Sequence, residues 1–261
     1  MIKKFEGKTP IFTKGRILKN EMLERLRDFP RQVADICWSP YADGVILGLD
    51  LLVDQVDITL TPGMIKYEGE LLVLAEQLKV PYEANGREQI LKLQFEDPYQ
   101  TSDFEGRVVH VVLEDKPTGQ HEMELARFNL SKGAYLRSDY QDFEDFKTGH
   151  NTLNIVNQPY SHLGGSTLSP AILKYFARAL IGYQTENAHD IAIIYQVLNQ
   201  QKSISKELLV HYIRSRISED PQEMTSNEAI HYGLSQVLKK AKLEERTIGQ
   251  RTRGNRRLIV D

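Results

Sequence analysis

Few strings in this chain have residue types and spacing that could do chemistry. Gly7-Lys8-Thr9 is the first. A phosphate-binding loop needs Gly-x-x-x-x-Gly-Lys-Ser/Thr between a strand and a helix, so that backbone N–H groups converge on phosphate. Ile2 stands where the first glycine belongs, and no strand is expected ahead of it, so the string reads as part of a flexible arm. His121-Glu122-Met123-Glu124-Leu125 begins like a zinc-protease helix. That motif needs a second histidine at its fifth position, and Leu125 holds it. The segment alternates like a strand, with Met123 and Leu125 on one face.

The seven histidines are His110, His121, His150, His162, His189, His211 and His231, and no two lie three or four residues apart. The acidic run Asp139, Asp142, Glu144, Asp145 lacks the glycine of a calcium loop. It reads as the solvated face of a short helix whose aromatics, Tyr140, Phe143 and Phe146, pack inward. Gly164-Gly165-Ser166-Thr167 precedes a helix start and could offer N–H groups to an anion, or serve as a plain lead-in. No Gly-x-Ser-x-Gly string occurs. No catalytic residue, metal ligand or cofactor site is therefore expected, and the chain is expected not to be an enzyme. A site built from residues distant in sequence is the competing reading, and a cleft lined by converging ionisable groups would reveal it.

One charge feature stands out. From residue 246 on, Arg246, Arg251, Arg253, Arg256 and Arg257 face only Asp261 among acidic residues. Such a tail suits an acidic partner surface, with Leu258, Ile259 and Val260 adding a strand to a sheet edge. Nucleic-acid binding is the alternative, less favoured because no aromatics are interleaved. A solvated tail without a partner is the third reading.

Composition sets the frame for these strings. The 261 residues are 41% hydrophobic and 26% charged, an ordinary globular balance. The formal charge of −3 excludes a strongly basic whole-chain footprint for nucleic acid. No apolar run approaches the length of a membrane span, and the first residues lack the apolar core of a secretory signal. Cys37 is the sole cysteine, so no internal disulfide or thiolate cluster is available. Cytoplasmic synthesis is expected.

The elements that must position these residues read as α+β, in five parts. Residues 1–41 form an arm with one or two short helices. Leu18, Met22, Leu26 and Phe29 mark one helix face, Pro30 ends or restarts it, and Val33, Ile36 and Cys37 mark a second. Residues 42–137 form an antiparallel β-sandwich or small barrel of eight short strands. The runs are 45–53, 56–61, 64–67, 70–74, 78–82, 89–95, 108–113 and 122–130. Turns are expected at Pro62-Gly63, Glu68-Gly69, Asn85-Gly86, Glu105-Gly106 and Thr118-Gly119.

Residues 138–165 connect to a bundle of four helices over 166–245, and the basic tail is 246–261. Ser169 and Pro170 start the first bundle helix, with Leu173, Phe176, Ala177, Leu180 and Ile181 on its face. Ile191, Ile194, Tyr195 and Leu198 mark the second, and Ile204, Leu208, Tyr212 and Ile213 the third. The fourth opens on a capping box, Thr225 and Glu228, with Ile230, Leu234, Val237 and Leu238 inward.

The middle of the chain resembles structural proteins of phage tails and related contractile injection particles. The resemblance lies in 42–49 (ADGVILGL), 56–72 (VDITLTPGMIKYEGELL) and 124–134 (ELARFNLSKGA), which match the strand, Pro-Gly, strand, Gly-turn pattern of baseplate and tail-fibre adaptor modules. It implies a baseplate component or fibre adaptor that works through protein–protein docking. The implied partners are other particle subunits, with the chain a homo-oligomer in a symmetric assembly inside a virion or phage-tail-like particle. No residue roles follow from it.

Overall fold

The computed structural model describes residues 7–148, 150–200, 202–217 and 224–254, and of residues 148 and 246–254 the backbone alone. The chain opens with one helix, α1 (Asn20–Trp38), followed by β1 (Gly44–Gly48), β2 (Leu51–Val53), β3 (Asp57–Leu60), β4 (Gly63–Tyr67), β5 (Glu70–Leu74) and β6 (Leu78–Pro81). β7 (Glu88–Phe95), β8 (Tyr99–Gln100), β9 (Glu105–Gly106), β10 (Val109–Glu114) and β11 (Glu122–Asn129) complete the strands. The helices that follow are α2 (Asp145–Thr148), α3 (Pro170–Gly182), α4 (Ala188–Leu198), α5 (Lys206–Arg216) and α6 (Asn227–Gly254).

The strands form three three-stranded antiparallel sheets, ordered β1-β4-β5, β2-β3-β6 and β10-β7-β11, with β8-β9 as a small separate ribbon. No closed barrel forms among the described strands. The first two sheets are the two halves of three long strands bent at a corner. The bends fall at 49–50, 61–62 and 75–77, and each bent strand contributes one half to either sheet. Pairing continues across the corner: Thr61 N–H donates to the Asp50 carbonyl at 3.0 Å, and Asp50 N–H to Thr61 Oγ1 at 2.9 Å. The single run read over 45–53 is therefore two strands.

Pro62-Gly63 is not the hairpin turn that the sequence predicts. It carries the chain from one sheet into the next, and Gly63 has no positive φ. Its glycine is required by close approach instead. A Cβ there would meet the Leu49 amide nitrogen and lie 2.7 Å from the Leu47 carbonyl oxygen. Glu68-Gly69 does close a two-residue hairpin, β4 to β5, with φ of 48° and 83°. Glu105-Gly106, expected as a turn, is strand β9 and pairs with Tyr99–Gln100.

Alternation buries Ile58 and Leu60 as read, while Val56 is exposed, because it sits in the turn before β3. In the third sheet β7 is central, and Leu91, Leu93 and Phe95 are buried. The connector carries α2, whose start is capped by Asp142 Oδ1 accepting from the Glu144 and Asp145 amides. Phe143 and Phe146 are buried beneath it. Single bridges join the connector to β1 and β11, as at Val45–Tyr160 and Arg127–Asn154.

Ser169 caps α3 as expected, its Oγ accepting from Ala171 N–H at 3.2 Å. Leu173, Phe176, Ala177 and Leu180 are buried, whereas Ile181 faces out. α4 is rotated relative to the sequence reading: Asp190, Ile193, Ile194 and Val197 are inward, and Ile191, Tyr195 and Leu198 are exposed. Apolar residues surround most of this helix, so periodicity could not choose a face; the buried ion pair of Asp190 does. In α5, Leu209, Tyr212, Ile213 and Arg216 are inward, and Leu208 is partly exposed.

The cap of α6 is Ser226 rather than Thr225. Ser226 Oγ accepts from Ala229 N–H at 3.1 Å, and Glu228 receives Asn157 Nδ2 instead of closing a capping box. Its inward face, Ile230, Leu234, Val237 and Leu238, is as read. The buried side chains of sheets and helices form one hydrophobic cluster, from Val45 to Ala241.

Candidate docking surfaces

α1 is one helix of 19 residues that runs through Pro30, not two short ones. Proline supplies no N–H for the Leu26 carbonyl, an interior defect worth about 3 kcal/mol. None of its residues is buried. Leu26, Phe29, Val33 and Ile36 are 56%, 62%, 43% and 75% exposed. Ile11, Phe12, Ile17, Leu18 and Leu23 add to this apolar surface. Scattered exposed apolar side chains are normal, but a continuous set on one element marks an interaction site.

The base of α1 is anchored by a buried lysine. Lys66 Nζ donates to the carbonyls of Trp38, Ser39 and Tyr41 at 2.8, 2.9 and 2.6 Å. The Trp38 carbonyl also accepts from Tyr41 N–H at 3.0 Å, and a cation at this helix end complements the helix dipole. Trp38 packs against Tyr41, and Lys202 lies 4.5 Å above the Trp38 ring. The helix is thus tied at its C-terminal end to both the β-sheets and the helical region. Along its length it touches the body through the exposed Arg31–Glu105 pair at 2.6 Å.

A second surface lies between the sheets. An apolar groove of about 260 Å³ is lined by Leu60, Leu72, Leu78, Leu93, Val109 and Val111, with Arg107 among its walls. Arg107 pairs with Glu68 at 2.8 Å and Glu70 at 3.1 Å and stacks over Tyr67 at 5.1 Å. Burial pulls its guanidinium pKa down, and the two carboxylates more than offset that. Beside the groove, β5 and β10 are outer strands of their sheets. Such edges can accept an added strand.

The other buried charges are spent on one another. Lys92 is held by Glu114 at 2.7 Å and Glu122 at 2.6 Å. Burial lowers the Lys92 ammonium, the two carboxylates raise it further, and the net shift is upward. Glu122 is lowered, first by Lys92 and then by the Gly119 N–H. Asp190 accepts from Tyr212 Oη at 2.8 Å and Thr185 Oγ1 at 2.7 Å. Arg216 Nε lies 2.9 Å from Asp190 but off the hydrogen-bond axis, so that contact is electrostatic, while its Nη2 bonds Glu244 at 2.6 Å.

A polar cleft does bring Asp43, Glu122, Glu124 and Lys206 together. Glu122 is bound to Lys92, Glu124 to Arg127 at 2.6 Å, and Lys206 donates to the Thr225 carbonyl. Among the described residues, no group of three or more His, Cys, Asp or Glu is arranged to hold a metal ion. His121, from the zinc-like string, meets Tyr67 Oη at 3.2 Å, and Glu122 opens a strand, not a helix. No described helix is long and apolar enough to cross a membrane.

Of the partner-binding residues expected in the tail, Arg246, Arg251 and Arg253 fall where α6 continues to Gly254 and only the backbone is described. Arg256, Arg257, Leu258, Ile259 and Val260 lie outside the described residues. The surfaces at α1 and the groove were not singled out from sequence as sites. The available signals were the apolar stripe continuing past Pro30, and lone lysines at 66 and 92 inside apolar runs.

No protein-family model and no curated protein matches the chain. Solved structures that are similar to it include two of TssK. The first is a crystal structure of TssK, with 11% sequence identity, a TM-score of 0.43, and coverage of 91% of this chain and 72% of that one. The second is the type VI secretion system TssK-TssF-TssG baseplate subcomplex seen by cryo-electron microscopy, with 10% identity and a TM-score of 0.37. It covers 91% of this chain and 100% of the other. At these levels no residue role carries over.

Proposed function

We propose that the chain is a structural subunit of a contractile-injection-type baseplate, or an adaptor attaching a fibre to one, and that it acts by docking to other subunits and not by catalysis. One observation carries this reading: a rigidly based helix whose apolar stripe, Leu26 to Ile36, lies exposed among the described residues. An isolated helix of this length with an interior proline is marginal in water, so it gains stability only against a partner. The engagement of Lys92, Asp190 and Arg216 with oppositely charged neighbours supports the non-catalytic half of the proposal. In this reading the open edges of β5 and β10 are further places for a neighbour.

The test is co-expression with the sheath, tube, spike and baseplate proteins of a contractile injection particle. The chain should co-purify with at least one of them, and Leu26→Asp combined with Phe29→Asp should reduce recovery about tenfold or more, on the scale of lost interface anchors. A chain that binds none of these products would overturn the reading. So would an assembly indifferent to both α1 and the β5 edge.

A further inference from the structure

The apolar side chains of α1 follow a coiled-coil repeat. Met22, Leu26, Phe29, Val33 and Ile36 are spaced four, three, four and three, the d, a, d, a, d positions of a heptad. The remaining positions are informative because they carry almost no charge toward a partner. The e positions are Leu23, Pro30 and Cys37, and the g positions are Arg25 and Gln32. All other charges of the helix, Glu21, Glu24, Arg27, Asp28, Arg31 and Asp35, fall at the outer b, c and f positions.

We propose that α1 pairs in parallel with α1 of a second copy of this chain, through the Met22–Ile36 seam. This rests on the docking reading above and names its first partner. Charges at e and g set partner choice, and like charges opposed there exclude a self-pair. Here a self-pair opposes no like charges: Arg25 meets Pro30 of the other copy, and Gln32 meets Cys37. Along the seam Leu26, Phe29, Val33 and Ile36 are exposed, and Met22 at its start is half-buried. Its base is held by Lys66, so a parallel pair gathers the two bodies at one end of a shared two-fold axis.

Parallel pairing also brings the exposed Cys37 of each copy to the same level, beside the seam. An antiparallel pair would set the two thiols at opposite ends of a helix about 28 Å long.

The experiment uses the full chain. Multi-angle light scattering should give a multiple of the chain mass that dissociates on dilution. A long-armed bis-maleimide cross-linker should yield a Cys37-linked dimer that Cys37→Ser abolishes. Leu26→Asp with Phe29→Asp should weaken self-association about a hundredfold, which corresponds to about 2.7 kcal/mol. Circular dichroism and the unfolding midpoint of the body should hold, because neither side chain is in the core. A chain monomeric at every concentration overturns the proposal, as does an oligomer unaffected by the double substitution. Loss of the oligomer in the double variant without a Cys37 cross-link in the parent overturns the parallel arrangement. A monomer that still needs α1 to bind baseplate products would sink this inference and leave the docking reading standing. An oligomer that binds none of them would do the reverse.

Discussion

At the scale of single residues, the polar groups of the core are the most consequential, because most are held by specific partners that no other group replaces. Lys92 is almost fully buried and its ammonium is shared by Glu114 and Glu122. Removing one member of such a set leaves an uncompensated buried charge. Lys92→Ala is expected to destabilise the chain by about 3 kcal/mol, read as a lower urea midpoint at pH 7. Part of this support is pH-dependent. The folded pKa of Glu122 is depressed, so its contribution is present above the ordinary glutamate value and is lost as pH falls through the folded one.

His231 loses stability on acidification as well, over a higher pH window. It is buried, stacked on Phe143, with Nε2 3.0 Å from the Phe143 carbonyl and Nδ1 without a partner. Burial pulls its pKa down to about 4, against smaller upward pulls from the Phe143 carbonyl and Glu144. Between pH 6.5 and about 4 the unfolded chain binds a proton at this site that the folded chain does not, so stability falls as pH falls. The loss over that window is about 3 kcal/mol. His231→Leu should flatten the slope of unfolding free energy between pH 7 and 4.5; an unchanged slope would count against the assignment.

At the scale of elements, two glycines separate close approach from mere turn chemistry. Gly48 has φ of 68°, and a Cβ there would collide with the Pro62 carbonyl oxygen and lie 2.7 Å from Gly63 Cα. Gly86 has φ of 75° with open space around it. Gly86→Ala should therefore cost only the left-handed backbone term, about 1 kcal/mol, whereas Gly48→Ala should cost about 3 kcal/mol or more through displacement of the corner. Thermal unfolding of the two variants side by side checks this, and equal losses would contradict the crossing-strand geometry.

Pro30 offers a second test at this scale. Pro30→Ala restores an interior hydrogen bond to α1 and removes an intrinsic penalty of about 3 kcal/mol. Amide exchange within 20–38 should slow by an order of magnitude or more, while exchange in the sheets is unchanged.

At the scale of the whole molecule, the body and the arm are energetically separable. The hydrophobic cluster runs from Val45 to Ala241 and includes nothing from α1. Deleting residues 1–37 keeps the Trp38, Ser39 and Tyr41 carbonyls that Lys66 needs. The truncated chain should unfold cooperatively within a few degrees of the parent, and a collapse of its melting transition would show that the arm supports the core. Self-association and co-assembly should be what the truncation removes.

Much of this architecture was legible in the sequence, for a local reason. Strand alternation, the Glu68-Gly69 hairpin, the Ser169-Pro170 helix start and the inward face of α6 are each written within a window of a few residues, where backbone sterics and side-chain period decide the outcome. The α+β class was read the same way. Tertiary structure decided everything that depends on two distant segments meeting. It bent three strands over one corner, so that Gly63 serves a crossing and not a turn. It turned α4 to bury Asp190 against Arg216, and it brought Lys66 to the end of α1, 28 residues away. A buried charge or a close backbone approach is defined by its partner, and no short stretch of chain contains both halves of the pair.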